Sequence, residues 1–203
     1  MLPLDHATKL RQEADIVLGL IRLYDILRPY GRVFATGSFF LDVMVYPDID
    51  LYITKVNLEQ LFNIGAQIAR SELVSQVVFE KTDDPSLMPD GLYLKPRVNY
   101  GDWGRPWKID IWSLEETIIR ERMAVMRRFQ TKLTPELRQQ ILDYKLSILT
   151  SQKRTPKYSG YYIYQAFLDK GLLDHASVTQ YLLSQGIHME GNGNDPFQTH
   201  VPV

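Results

Sequence analysis

A chain of 203 residues, 45% hydrophobic and 23% charged, is long enough to bury a substantial core as one good-sized domain or two small ones. Its 23 Lys and Arg stand against 24 Asp and Glu, so the net charge of -1 excludes a global positive field, and a nucleic-acid partner would need a local patch. Without cysteine there is no disulfide framework, no thiolate nucleophile and no cysteine zinc site. The start, MLPLDHATKLRQEAD, has neither the basic nor the apolar region of a signal peptide, and no apolar run nears the length of a membrane span. A soluble cytoplasmic protein is the expectation.

Leu10, Ala14, Val17, Ile21 and Tyr24 recur at spacings of four and three, which predicts one helix from about Asp5 to Leu27, ended by Pro29 and Gly31. RVFAT and DIDLYIT read as strands from their β-branched and aromatic content, and a helix follows from about Leu58 to Arg70. Asn57 and Gln60 form its capping box. LVSQVVFEK, GLYLKPRVNY and RPWKIDIW are three further strands, separated by the turn-rich TDDPSLMPDG and GDWG. After Trp112 the pattern turns helical: Ser113 and Glu116 form a second capping box, and Thr134-Pro135 opens another helix. Ser159 and Ser177 can cap two more, and Gly171 and Gly186 suit helix ends. The expected architecture is α/β (α+β), a mixed-sheet module over residues 1–113, a helical module over 114–186 and an extended tail over 187–203.

Within DIDLYIT, strand alternation puts Asp48, Asp50 and Tyr52 on one face and Ile49, Leu51 and Ile53 on the other. Carboxylates two residues apart lie about 6.6 Å from each other along a strand, close enough to repel and shift each other's pKa. A cation between them resolves the conflict, and oxygen ligands of this kind suit Mg²⁺ or Mn²⁺ with substrate phosphates. A lone D-x-D more often marks an exposed strand start, but two further features accompany this one. Gly37-Ser38 directly follows RVFAT, where a strand-to-glycine turn can offer N–H groups and a hydroxyl to phosphate. Further on, WKIDIW places Lys108, Asp110 and Trp112 on one face and Trp107, Ile109 and Ile111 on the other, adding a third strand carboxylate.

Gly37-Ser38, Asp48-Ile49-Asp50 and the distant Asp110 together resemble the signature of the polymerase-β-like nucleotidyltransferase superfamily, its small bacterial members and antibiotic nucleotidyltransferases above all. SGYYIYQAFLDKGLLD is similar, less specifically, to a helical segment of such proteins. The resemblance implies that Asp48 and Asp50 hold two Mg²⁺ ions, that Asp110 ligates the ion activating the acceptor hydroxyl or acts as general base, and that Gly37 and Ser38 hold the β- and γ-phosphates. The implied reaction moves a nucleoside monophosphate from an NTP, with ATP as the expected co-substrate, to a hydroxyl of a small molecule, releasing pyrophosphate. No nucleic-acid partner and no membrane are expected. An idle binding module of the same fold, antitoxin-like or regulatory, and nucleotidyl transfer to a protein side chain are the alternatives. The chain departs from the pattern in Phe39-Phe40-Leu41-Asp42, where many relatives carry Arg or Gly.

Lys145 and the cluster Lys153, Arg154 and Lys157 are either compensating phosphate contacts or a solvated basic face. Tyr158, Tyr161, Tyr162 and Tyr164 read as core packing rather than base stacking. Trp103 and Trp107 either wall an acceptor pocket or cover a hairpin, and Asp102 reads as a turn residue. The histidines, His6, His175, His188 and His200, show no ligand spacing and take no role.

Overall fold

The computed structural model describes residues 2–81 and 91–189. Helix α1 (Pro3–Leu20) begins with proline, whose missing N–H costs nothing in a first turn. The expected single helix to Leu27 is broken: Arg22 adopts a left-handed conformation (φ 52°) and a short α2 (Leu23–Leu27) follows. The break turns the stripe through a corner without exposing it, since Leu10, Val17, Ile21, Leu23 and Leu27 all stay buried in one cluster.

β1 (Val33–Thr36) runs straight into α3 (Gly37–Leu41), followed by β2 (Asp48–Thr54), α4 (Leu58–Ile68), β3 (Val74–Lys81), β4 (Leu92–Val98) and β5 (Trp107–Leu114). They build a five-stranded sheet in the order β1-β2-β5-β4-β3. Only β2 and β5 are parallel; the other neighbours are antiparallel. Most of the expected TDDPSLMPDG turn, 82–90, and 190–203 of the expected tail lie outside the described residues. The helices α5 (Glu116–Lys132), α6 (Pro135–Ser147), α7 (Ser159–Tyr164), continued by a π-helical turn at Gln165–Asp169, and α8 (His175–Ser184) complete a mixed α+β fold. Among the described residues no helix is long and apolar enough to cross a membrane.

The Asn57 cap forms as expected, with Gln60 N–H donating to its side chain at 2.8 Å and Asn57 N–H to Gln60 at 2.9 Å. Thr134 caps α6 by accepting from Leu137 N–H at 3.2 Å. Ser113 does not cap α5. β5 stays paired with β2 through Leu114, and the Ser113 hydroxyl instead accepts from the buried Val56 N–H at 2.9 Å. Asp174 rather than Ser177 caps α8, its carboxylate taking the Ser177 N–H at 2.8 Å. Ser159 is the first residue of α7, behind a left-handed Tyr158, and its buried hydroxyl has no hydrogen-bond partner among the described residues. Gly186 ends α8 as expected, its φ of 77° letting Ile187 N–H reach back to Leu182 at 3.0 Å.

Strand alternation sorts the side chains into two cores. Ile49, Leu51, Ile53, Trp107, Ile109 and Ile111 pack with α1, α2 and α4 on one face. On the other, Val43, Val45, Tyr52 and Leu114 join Ile119, Phe129, Ile141, Tyr144, Ile163 and Phe167 of the later helices. Each fully buried side chain of this kind contributes about 1.5–3 kcal/mol. The second cluster therefore spans both sides of the expected boundary near Ser113. Trp107 is fully buried in the first core and walls no pocket. Trp103 fixes its turn to α1, donating Nε1–H to Glu13 at 2.6 Å.

Candidate active site

The parallel pairing of β2 with β5 sets Asp48 opposite Lys108 and Asp50 opposite Asp110. Because all four have the same parity as Tyr52, Trp112 and Leu114, they lie on the sheet face covered by the later helices. Lys108 Nζ stands 3.0 Å from Asp48 Oδ1 and 2.7 Å from Asp110 Oδ2. Tyr93, on β4, donates its hydroxyl to Asp110 Oδ1 at 2.6 Å. The buried Asp48 Oδ1 keeps this ion pair but, among the described residues, has no aligned hydrogen bond.

Gly37 packs its backbone directly on Asp50. Its φ is +59°, and a Cβ there would collide with Asp50 Oδ2, so the position requires glycine twice over. Ser38 lies beside the Tyr164 hydroxyl. The aromatic run after Ser38 has a packing cause: Phe39 is buried in one core and Leu41 in the other, so α3 links the two faces at the sheet's end. Asp42 closes α3 in a left-handed conformation (φ 55°), held by Arg138 through its carbonyl at 2.8 Å and its carboxylate at 2.9 Å.

Electrostatically the site carries more anion than it can satisfy. Burial raises the Asp48 pKa, with Asp110 adding to the effect and Lys108 opposing it. Asp50 is raised well above the usual carboxylate range by burial and by the charges of Asp48 and Asp110. Burial would discharge Lys108, but Asp48, Asp110 and Asp50 outweigh it and push the ammonium's pKa up.

The expected basic residues separate. Lys145 is no solvated face: it is buried, donating to the Val43 carbonyl at 2.5 Å and to Tyr164 at 3.2 Å, and burial lowers its pKa to about 7, with Asp48 and Asp50 opposing the shift. Lys153 is exposed, in a left-handed conformation, with its ammonium against Gly104. Arg105 donates to the carbonyls of Gln152 and Lys153, both at 3.2 Å, and lies 5.4 Å from the Tyr46 ring centre. Burial lowers the Arg105 pKa, Asp48 opposes this, and Arg97 and Arg154 add repulsion. Arg97, Lys153 and Arg154 thus gather around Arg105 as a basic rim, and it is the Arg105 charge that acts on Asp48. Lys157 lies over the Tyr158 ring instead, at 5.0 Å. Of the tyrosines, Tyr164 is core as expected, whereas Tyr158 and Tyr161 are exposed.

Three residues of the site escape sequence reasoning. Lys108 carries a visible signal in its shared parity with Asp110. Tyr93 becomes relevant only through the antiparallel β4–β5 register, which sets it opposite Trp112, and Arg105 only through the loop that folds it onto residues 152 and 153.

Oxygen donors with raised pKa values fit a divalent cation, because such an ion relieves both burial and mutual repulsion. They do not form a finished cage: among the described residues no three acidic or histidine side chains already stand as a metal-holding group. The Lys108 ammonium occupies the space between two of the carboxylates.

No protein-family profile and no curated protein matches the chain. Its fold resembles solved structures of Cid1 poly(U) polymerase. One, in complex with the short product ApU, has a TM-score of 0.49 and 15% identity over 70% of this chain and 42% of that one. A second, with the UTP analogue UMPNPP, has a TM-score of 0.48 and 14% identity over 76% and 46%. A third, bound to MgGTP, has a TM-score of 0.46 and 18% identity over 68% and 43%. The chain spans less than half the length of these structures.

Proposed function

We propose that this chain is a metal-dependent nucleotidyltransferase that moves a nucleoside monophosphate from an NTP, ATP in the first instance, to an acceptor hydroxyl. The observation that carries the reading is the register placing Asp50 opposite Asp110 and beside Asp48, on one sheet face, against a glycine turn that only glycine can make. Asp48 and Asp50 would hold Mg²⁺ or Mn²⁺, which when bound supplies positive charge to the triphosphate and to the reacting phosphorus. The basic rim of Arg97, Arg105, Lys153 and Arg154 grips phosphate oxygens, and the Gly37-Ser38 turn lets the chain approach them. Asp110, held by Tyr93 and Lys108, receives the proton of the acceptor hydroxyl as its oxygen bonds to the α-phosphorus and pyrophosphate leaves.

The acceptor we propose is a small molecule. The rim suits one triphosphate, while several other surface cations are already paired: Arg128 and Lys132 with Asp169, Lys95 with Glu80, Lys55 with Glu115. The test is a panel of NTPs with and without Mg²⁺, read by thermal shift and pyrophosphate release, together with mobility shift of oligonucleotides at low salt. Tight, salt-sensitive oligonucleotide binding would replace the small molecule with a nucleic-acid acceptor. Asp48→Asn and Asp50→Asn should abolish the Mg²⁺-dependent nucleotide shift, whereas Asp110→Asn should keep most of the affinity and lose turnover. Equal loss of binding in all three variants would refute that division of labour.

A second reading is favoured by Lys108, whose ammonium bridges two of the carboxylates and offsets one of their charges without any metal: a nucleotide-binding module with no turnover. Nucleotide binding without pyrophosphate release under any acceptor would select it.

A further inference from the structure

We propose that Lys108 takes the place of one of the two cations a three-carboxylate site would otherwise hold, so that the chain accepts a single divalent ion, on the Asp50 side. The inference rests on the metal-binding role proposed above for the carboxylates. Three observations carry it. Lys108 bridges Asp48 and Asp110 but forms no ion pair with Asp50 among the described residues. Both oxygens of Asp110 already accept a hydrogen bond, Oδ1 from the Tyr93 hydroxyl and Oδ2 from the Lys108 ammonium, so an ion of its own would meet that ammonium at the same carboxylate. The charge balance favours one ion over two: three carboxylates face the Lys108 ammonium, with Arg105 also acting on Asp48 and Lys145 on Asp50, which leaves at most two negative charges.

The lysine is not a surface group that happens to lean inward. Its side chain is 19% exposed, and its place is set by the strand register that puts it opposite Asp48 and two residues before Asp110 on the same face. Leaving would break two largely desolvated pairs at once and strand the carboxylates they neutralise, so displacement by a second divalent ion is opposed. A fixed ammonium also keeps Asp48 and Asp110 together before any ion arrives.

The test is a titration of the full chain with Mn²⁺ alone, the bound ions being counted by electron paramagnetic resonance of the free ion. The native chain and Lys108→Arg, which retains the cation, should each bind one Mn²⁺. Lys108→Met should bind two, with the spectrum of a magnetically coupled pair, and Mn²⁺ should raise its melting temperature more than that of the native chain. Lys108→Gln provides the same measurement with a polar side chain if the methionine variant folds poorly. A coupled pair in the native chain, or a single ion in both uncharged variants, would overturn the inference and leave the nucleotidyltransferase reading standing. No bound Mn²⁺ in any variant would overturn both.

Discussion

Asp50 is held where its charge is unwelcome. Burial and the neighbouring Asp48 and Asp110 raise its pKa well above the usual range, so at neutral pH the ionised form weakens the fold. Asp50→Asn keeps the shape and removes the charge. It should therefore raise the melting temperature of the ligand-free chain while abolishing the Mg²⁺-NTP shift, which for the native chain at about a hundred times Kd corresponds to about 2.7 kcal/mol. A lower melting temperature for the ligand-free variant would mean that the carboxylate supports the fold. Gly37→Ala acts in the opposite direction: it meets both an unfavourable φ and Asp50 Oδ2, and should cost about 1–3 kcal/mol in urea unfolding. Much of this arrangement is legible in the residues, since period-two alternation alone puts Asp48 with Asp50 and Lys108 with Asp110. The pairing of Lys108 with Asp48, and the hydroxyl of Tyr93, depend on which strands become neighbours, and no local pattern encodes that.

Elements are legible where their ends are chemical and obscure where tertiary contacts decide. The Asn57–Gln60 and Thr134-Pro135 signals describe real caps because each is satisfied within a few residues. Ser113 fails because β2 extends the pairing of β5 past it, and the break at Arg22 has no proline or glycine at that position to announce it. Lys145 joins the elements across the sheet face, carrying α6 onto the chain between α3 and β2. Its folded pKa of about 7 lies below the unfolded value of about 10.4, so between them the unfolded chain binds more protons. Stability should accordingly rise with pH from about 7 upward, by at most about 1.4 kcal/mol per unit from this group. Urea unfolding from about pH 7 to about pH 9 checks the slope, and Lys145→Met should flatten it. An unchanged slope in the variant would assign it to other groups.

At the scale of the whole molecule, the change from strands to helices near Ser113 is plain in the sequence, but the packing across it is not. Val43, Val45, Tyr52 and Leu114 are buried in the same cluster as Ile119, Phe129, Ile141, Tyr144 and Phe167, so neither side has that core to itself. Removing the helices would expose the aspartate-bearing face of the sheet to water. The two parts should therefore unfold together, in one cooperative transition. Two probes weight them differently: all three tryptophans, Trp103, Trp107 and Trp112, lie before the boundary, while somewhat more than half of the helical residues described lie after it. Tryptophan fluorescence and far-ultraviolet circular dichroism should give coincident urea curves, and Mg²⁺-NTP should move both by the same amount, because its proposed ligands lie under the shared core. A fluorescence transition displaced from the dichroism transition would show that sheet and helices unfold separately, and that the nucleotide stabilises only the part whose curve moves.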